Sequence, residues 1–113
     1  MQIESTHFIS LNVRGLRNTE KRQIIYTGLK NKKLIICLQE THVDKTIEEK
    51  IKSEWNGDIF NSCGPSNGKG VMTLLNKNVH NRIENVHIAD ANRKILVNLY
   101  INESPITVTN VYI

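Results

Sequence analysis

Aromatic residues are scarce in this chain, at 5 % of its 113 positions. Its core is therefore expected to be built from Ile, Leu and Val. Cysteine occurs twice, as Cys37 and Cys63, with no C-x-x-C spacing, which excludes a paired redox or metal motif of that kind. Nothing in that usage argues for an oxidising compartment. No apolar run approaches the length that crosses a bilayer, so no membrane partner is expected. No secretion signal is legible, and an intracellular setting is expected, nuclear where the partner is DNA. Repeats, low-complexity segments and linkers are also missing. Neither sign of charge is lacking: Lys and Arg number 15 and Asp and Glu 11, for a net charge of +4 and a pI near 9.2. That balance permits a polyanionic partner without requiring one.

What is present is organised around Leu34-Ile35-Ile36-Cys37-Leu38-Gln39-Glu40-Thr41-His42. Five apolar residues in succession suit a strand buried on both faces, which then delivers Glu40 at its end. Cys37 reads as a small apolar filler within it. Residues 6–13 form a second such strand, delivering Asn12. Between them, residues 19–31 read as a helix with Ile24, Ile25 and Leu29 inward and Lys21, Arg22 and Lys30 outward. Gly28 weakens that helix by about 1 kcal/mol relative to Ala. After Glu40, Thr46-Ile47-Glu48-Glu49 reads as a capping box. The stripe Ile47, Ile51, Trp55 follows on one helical face, ended by Asn56-Gly57. The second half reads as strands. Residues 58–62 and 70–75 pair around the loop 63–69, and residues 82–89, 94–101 and 106–112 follow. Turns lie at 90–92 and 102–105. Strand, helix, strand, helix, then strands predicts a layered α/β (α+β) fold in a single domain, 1–113. The chain reaches Ile113 within its last strand, from which it is expected to be a fragment.

Three positions carry the candidate chemistry. Glu40 suits a Mg²⁺ ligand, because Mg²⁺ prefers oxygen donors and is held by one or two carboxylates with water and phosphate completing its shell. Equally, it suits a solvated carboxylate capping the next helix. Asn12, in an apolar strand, needs a polar partner: a shared cation, or simply backbone. His42 fits a base or a supporting group, and also an uncommitted loop histidine. His7, His80 and His87 show no ligand spacing. The loop ending Gly68-Lys69-Gly70 lacks the first Gly and the Ser or Thr of a P-loop, so it reads as a hairpin loop in which Lys69 can touch phosphate as a point charge. Arg14, Arg17, Lys21, Arg22, Lys30, Lys32 and Lys33 form either a phosphate-facing patch or a solvated surface.

The succession Ile9-Ser10-Leu11-Asn12-Val13-Arg14-Gly15-Leu16, Lys21-Arg22, Leu38-Gln39-Glu40-Thr41-His42, Gly68-Lys69-Gly70-Val71 and Asn110-Val111-Tyr112 resembles the endonuclease/exonuclease/phosphatase superfamily. Its order is most similar to the apurinic-endonuclease-like domain of LINE-type (non-LTR) retrotransposons. The resemblance implies a four-layer α/β/β/α sandwich with mixed β-sheets and flanking helices, of which this chain is the N-terminal part. It implies a Mg²⁺-dependent phosphodiesterase (Mn²⁺ as a substitute) that nicks DNA and exposes a 3′-hydroxyl for reverse transcription. By position, Glu40 becomes the metal ligand, and Asn12 lies beside the metal and contacts phosphate or the attacking water. Tyr112 becomes the tyrosine that supports the scissile phosphate. Arg14, Lys69 and His42 become nucleic-acid contacts. Arg14 stands where several members carry Asp or Asn. The Pro-Asn, Asp-x-Asn and Asp-His motifs of the family would lie past Ile113.

Partners implied are DNA, the remainder of the domain and a downstream reverse transcriptase. The chain alone is expected to be inactive, since it lacks the residues that activate the attacking water. A half-sandwich would also expose an apolar sheet face and an unpaired edge, so marginal stability or aggregation is expected. Two alternatives stand beside this reading. One is a phosphatase of the same superfamily, and the other a non-catalytic relic or nucleic-acid-binding remnant.

Overall fold

The computed structural model describes residues 6–30, 32–62, 70–79, 81–89 and 93–112. The elements run β1 (His7–Asn12), α1 (Thr19–Leu29), β2 (Leu34–Gln39), α2 (Lys45–Glu54), β3 (Gly57–Asn61), β4 (Val71–Asn76), β5 (Asn81–Ala89), β6 (Lys94–Ile101) and β7 (Ser104–Val111). The fold is mixed α and β, with two helices and two sheets. The first sheet has the order β1-β2-β4-β3, and the second β5-β6-β7. β1 and β2 are parallel, joined by α1 as the crossover, while every other pairing is antiparallel. Only the first sheet is therefore mixed.

Strand β2 explains the layering. Its side chains alternate between faces, and both faces are covered. Leu34, Ile36 and Leu38 pack with Ile51 and Trp55 of α2 and its end, and with Ile25 and Leu29 of α1. Ile35 and Cys37 face Val97, Leu99 and Val108 of the second sheet. Each fully buried aliphatic side chain here contributes roughly 1.5–3 kcal/mol. Both helices thus lie on the outer face of the first sheet. The described residues build three layers, helix on sheet on sheet, with no helix over the outer face of β5-β6-β7. β1, in contrast to β2, is an edge strand with most of its residues exposed.

Several local expectations need correction. In α1 it is Arg22 that is buried, at 1 % exposure, and Ile24 that is exposed, at 74 %. The buried face is Arg22, Ile25, Tyr26 and Leu29, which are one helical stripe. The Arg22 guanidinium makes two hydrogen bonds to the Glu54 carboxylate, at 2.8 and 3.0 Å, and also donates to Leu16 O, Arg17 O and Thr19 Oγ1. Arg22 is therefore a clamp between the helices and is not part of a solvated basic patch. Helix α1 ends at Leu29, earlier than the expected 31. Helix α2 starts two residues earlier than a Thr46 cap would place it, because Asp44 is its N-cap: Asp44 Oδ1 accepts the Ile47 N–H at 2.9 Å. The last turn is also tighter than expected. Asn102 and Glu103 take φ of 49° and 71°, the paired positive values of a two-residue hairpin, and β7 starts at Ser104 with Pro105 on its edge. The expected loop 63–69, with Lys69, and the turn 90–92 lie outside the described residues.

Candidate functional site

The parallel pairing of β1 and β2 aligns their C-terminal ends, with Asn12 opposite Gln39. The chain after each strand is then zipped to the other. Val13 N–H donates to Gln39 O, Gly15 N–H to Glu40 O and Leu16 N–H to Thr41 O. To fit these bonds, Arg14, Glu40 and His42 take φ of 51°, 55° and 52°, and Gly15 takes 96°. Left-handed backbone costs a residue with a Cβ about 1–2 kcal/mol. Three such residues side by side concentrate strain where the two strands end, as binding sites do.

Tyr112 reaches this place from the other sheet. It follows β7 on the face of Ile106, Val108 and Asn110, and its hydroxyl donates to Glu40 Oε1 at 2.9 Å. The three candidate residues Asn12, Glu40 and Tyr112 thus meet, although 72 positions separate Glu40 and Tyr112. The Tyr112 hydrogen bond does most to hold the Glu40 carboxyl below the ordinary carboxylate range. A hydrogen bond with Asn12 and the nearby His42 and Arg14 charges act in the same sense, and burial acts against them. Tyr112 is pushed up in turn, chiefly because its proton is shared with Glu40. No Lys or Arg among the described residues forms an ion pair with Glu40.

Beside Glu40 lies an open cleft of about 420 Å³ lined by Arg14, Gly15, Arg17, Asn18, Lys21 and His42. Lys21 donates through Nζ to the Val13 and Arg14 carbonyls, so it braces the turn. Arg17 Nε donates to His42 O at 3.3 Å. The cleft is basic and sits at the start of α1, whose N-cap Asn18 accepts from Lys21 N–H. An anionic group is favoured at such a position by the cations and the helix terminus together.

No protein-family model matches the chain, and no curated protein matches it.

The donor set at Glu40 fits a hard divalent cation. It offers a carboxylate and, from Asn12, a carboxamide oxygen, which also accepts the Arg14 N–H at 3.3 Å. No cluster of three or more His, Cys, Asp or Glu occurs among the described residues. Such a cation would therefore keep most of its shell as water or phosphate. Cys37 is half-buried, and burial pushes its thiol up, away from reactivity.

Asn110 and Gln39 stand in the motifs quoted from the sequence, but neither was given a role there. Asn110 is buried between the sheets, where its amide donates to Leu38 O, Met72 O and Thr73 Oγ1 and its oxygen accepts from Gln39 Nε2 at 2.9 Å. Gln39 in turn meets Ser10 of β1. The available signal was an Asn at an inward position of an alternating strand, since a buried amide demands partners.

Proposed function

We propose that this chain is the N-terminal part of a Mg²⁺-dependent endonuclease domain, in which Glu40 and Asn12 hold the metal beside the scissile phosphate of DNA. The observation that carries the reading is the meeting of Glu40 and Tyr112, from two sheets, where β1 and β2 end. It is supported by the basic cleft next to them, where Arg14 and His42 would receive the neighbouring phosphates.

When bound, the cation would supply charge stabilisation to the phosphoryl and leaving oxygens. The protein's own residues prepare the rest. Glu40 stays ionised because Tyr112 and Asn12 hydrogen-bond to it. The Tyr112 hydroxyl has a single proton, here donated to Glu40; turned from Glu40 to a phosphate oxygen, it would stabilise charge developing there. Asn12 orients the same oxygen or the attacking water. Activation of that water needs a base not found among these residues, so nicking would require further residues of the same domain. Those residues would also supply the fourth, helical layer over β5-β6-β7. A reverse transcriptase partner and a nuclear setting belong to this proposal as well.

The test is a Mn²⁺ titration of the chain followed by water-proton relaxation. Wild type should bind one Mn²⁺, competed by Mg²⁺, and Glu40→Gln should weaken binding by about tenfold or more. Equal binding by Glu40→Gln would sink the reading. In parallel, Glu40→Gln should leave affinity for duplex DNA largely unchanged. Arg14→Ala should lower that affinity and reduce its salt slope by about one.

A further inference from the structure

At the far end of the first sheet from Glu40 lies a second cleft, of about 260 Å³. Strand β4 runs from Val71, opposite Gln39, to Asn76, opposite Gly57. Glu40 stands at one end of that run. The cleft, lined by Asn76 and Lys77, stands at the other, roughly 17 Å away along the strand. The rest of its wall comes from the last turns of α1 and α2, including Tyr26 and Trp55.

This wall is fixed by the protein's own bonds. The Tyr26 and Trp55 rings lie 5.8 Å apart, tilted by 45°. Trp55 Nε1 donates to Leu75 O at 3.1 Å, the Tyr26 hydroxyl to Glu54 at 2.8 Å, and Asn76 Nδ2 to Leu29 O at 3.0 Å. Backbone carbonyls at this end are bonded as well. Tyr26 O accepts the Lys30 N–H, Ile51 O the Trp55 N–H, and Asn56 O the Lys77 N–H. Oxygens that would repel an anion are therefore already occupied.

Three charged side chains line the cleft, and their charges do not cancel. Glu54 is neutralised by its two bonds from Arg22. Lys30 and Lys77 are exposed, and neither forms an ion pair among the described residues. A lysine at a helix C-terminus answers to the helix dipole. That accounts for Lys30, the C-cap of α1, but not for Lys77, which follows a strand. Gln23 and Asn56 add exposed side-chain amides to the same lining.

We infer that this cleft binds a nucleotide, with the phosphate on Lys30 and Lys77 and the base against the Tyr26 ring. Phosphate follows from two uncompensated ammonium groups, which take it as point charges. A base follows from the aromatic wall, from room beyond what a phosphate alone fills, and from amides able both to donate to a ring edge and to accept from it. A free nucleotide and the phosphorylated end of a strand share this chemistry, and the test separates them. The inference does not depend on the chemistry proposed for Glu40.

Trp55 is the only tryptophan of the chain, so its fluorescence reports on the cleft. Adenosine 5′-monophosphate, adenosine, inorganic phosphate and a 5′-phosphorylated oligodeoxyadenylate are titrated in turn, with a chelator present to keep divalent cations off Glu40. The monophosphate should change the emission saturably and bind more tightly than adenosine or phosphate. Lys30→Gln and Lys77→Gln, at exposed positions, should each weaken it about tenfold with an unchanged far-ultraviolet spectrum. Lys52→Gln, which removes the same charge from α2 outside the cleft, should leave binding unaltered, as should Arg14→Ala at the other end of the sheet. Tighter binding of the oligonucleotide, lost in the same two lysine variants, assigns the site to a strand end, and equal or weaker binding to a free nucleotide. No saturable change with any probe would overturn the inference. So would adenosine or phosphate binding as tightly as the monophosphate, or equal weakening by Lys52→Gln.

Discussion

Among the described residues, two glutamates accept a hydrogen bond from a tyrosine hydroxyl, and the likeness ends there. Glu54 takes one from Tyr26 at 2.8 Å, and Glu40 takes one from Tyr112 at 2.9 Å. Glu54 is also clamped by the buried Arg22 guanidinium through two bonds. With Tyr26 and Arg22 on α1 and Glu54 on α2, that cluster locks the two helices together. Among the described residues no guanidinium forms an ion pair with Glu40, which lies at a strained strand end facing a basic cleft. The lesson is that a carboxylate becomes a staple when a cation of the protein fills its lone pairs. It stays available to a foreign cation when only neutral donors hold it.

Removing the clamp should show the largest effect. Arg22→Met leaves Glu54 partly buried and facing only Tyr26. It should cost about 3 kcal/mol of stability in urea unfolding, the low end for a broken buried pair because Glu54 keeps some solvent. Mn²⁺ affinity in the folded fraction should not change. If it falls in step with stability, the two glutamates are not independent.

Acid should separate the pairs next. Arg22 first, and Tyr26 with it, hold the Glu54 carboxyl below its ordinary value. A carboxyl lowered in the folded state contributes stability above its unfolded value, near 4.3, which is lost as pH falls through the folded value. Stability should thus decline below about pH 4.3. The decline should be shallower in Glu54→Gln. A curve identical to wild type would mean that Arg22 and Glu54 are not coupled as their geometry states.

The smallest effect sharpens the contrast from the other side. Tyr112→Phe removes the main hydrogen bond that lowers Glu40. The Glu40 carboxyl should then titrate closer to its ordinary range in a carbon-detected NMR titration. Tyr26→Phe should leave it where it was.

The core of the fold was legible where one period dominates. The five apolar residues of β2 marked a strand covered on both faces by their unbroken run. The helix faces were less so. On α1 the spacing 22, 25, 26, 29 is a perfect stripe, but a charged residue is normally placed outward, and so Ile24 took the place of Arg22. Only the presence of Glu54, 32 positions away, makes that burial tolerable. Asp44 and Thr46 are both competent caps, and local sequence does not rank them. Within the site, Asn12 and Glu40 were suggested by strand ends alone. Tyr112 could be placed beside them only through the family resemblance, because no local pattern joins positions on separate sheets. Asn110 stood in a quoted motif without a role, because its role appears only when the second sheet is laid on the first.

That buried amide has a further consequence for how errors in this protein are expressed. Asn110 and Tyr112 share one face of β7, and Asn110 holds carbonyls of both β2 and β4. A slip of β7 by one residue would turn both side chains outward together. The tyrosine would leave Glu40, and in the same movement two core carbonyls would lose their donor. A misaligned molecule therefore cannot persist as a well-folded protein with a spoiled site. It is unstable by construction, so the strand register is proofread by the same side chain that sets it.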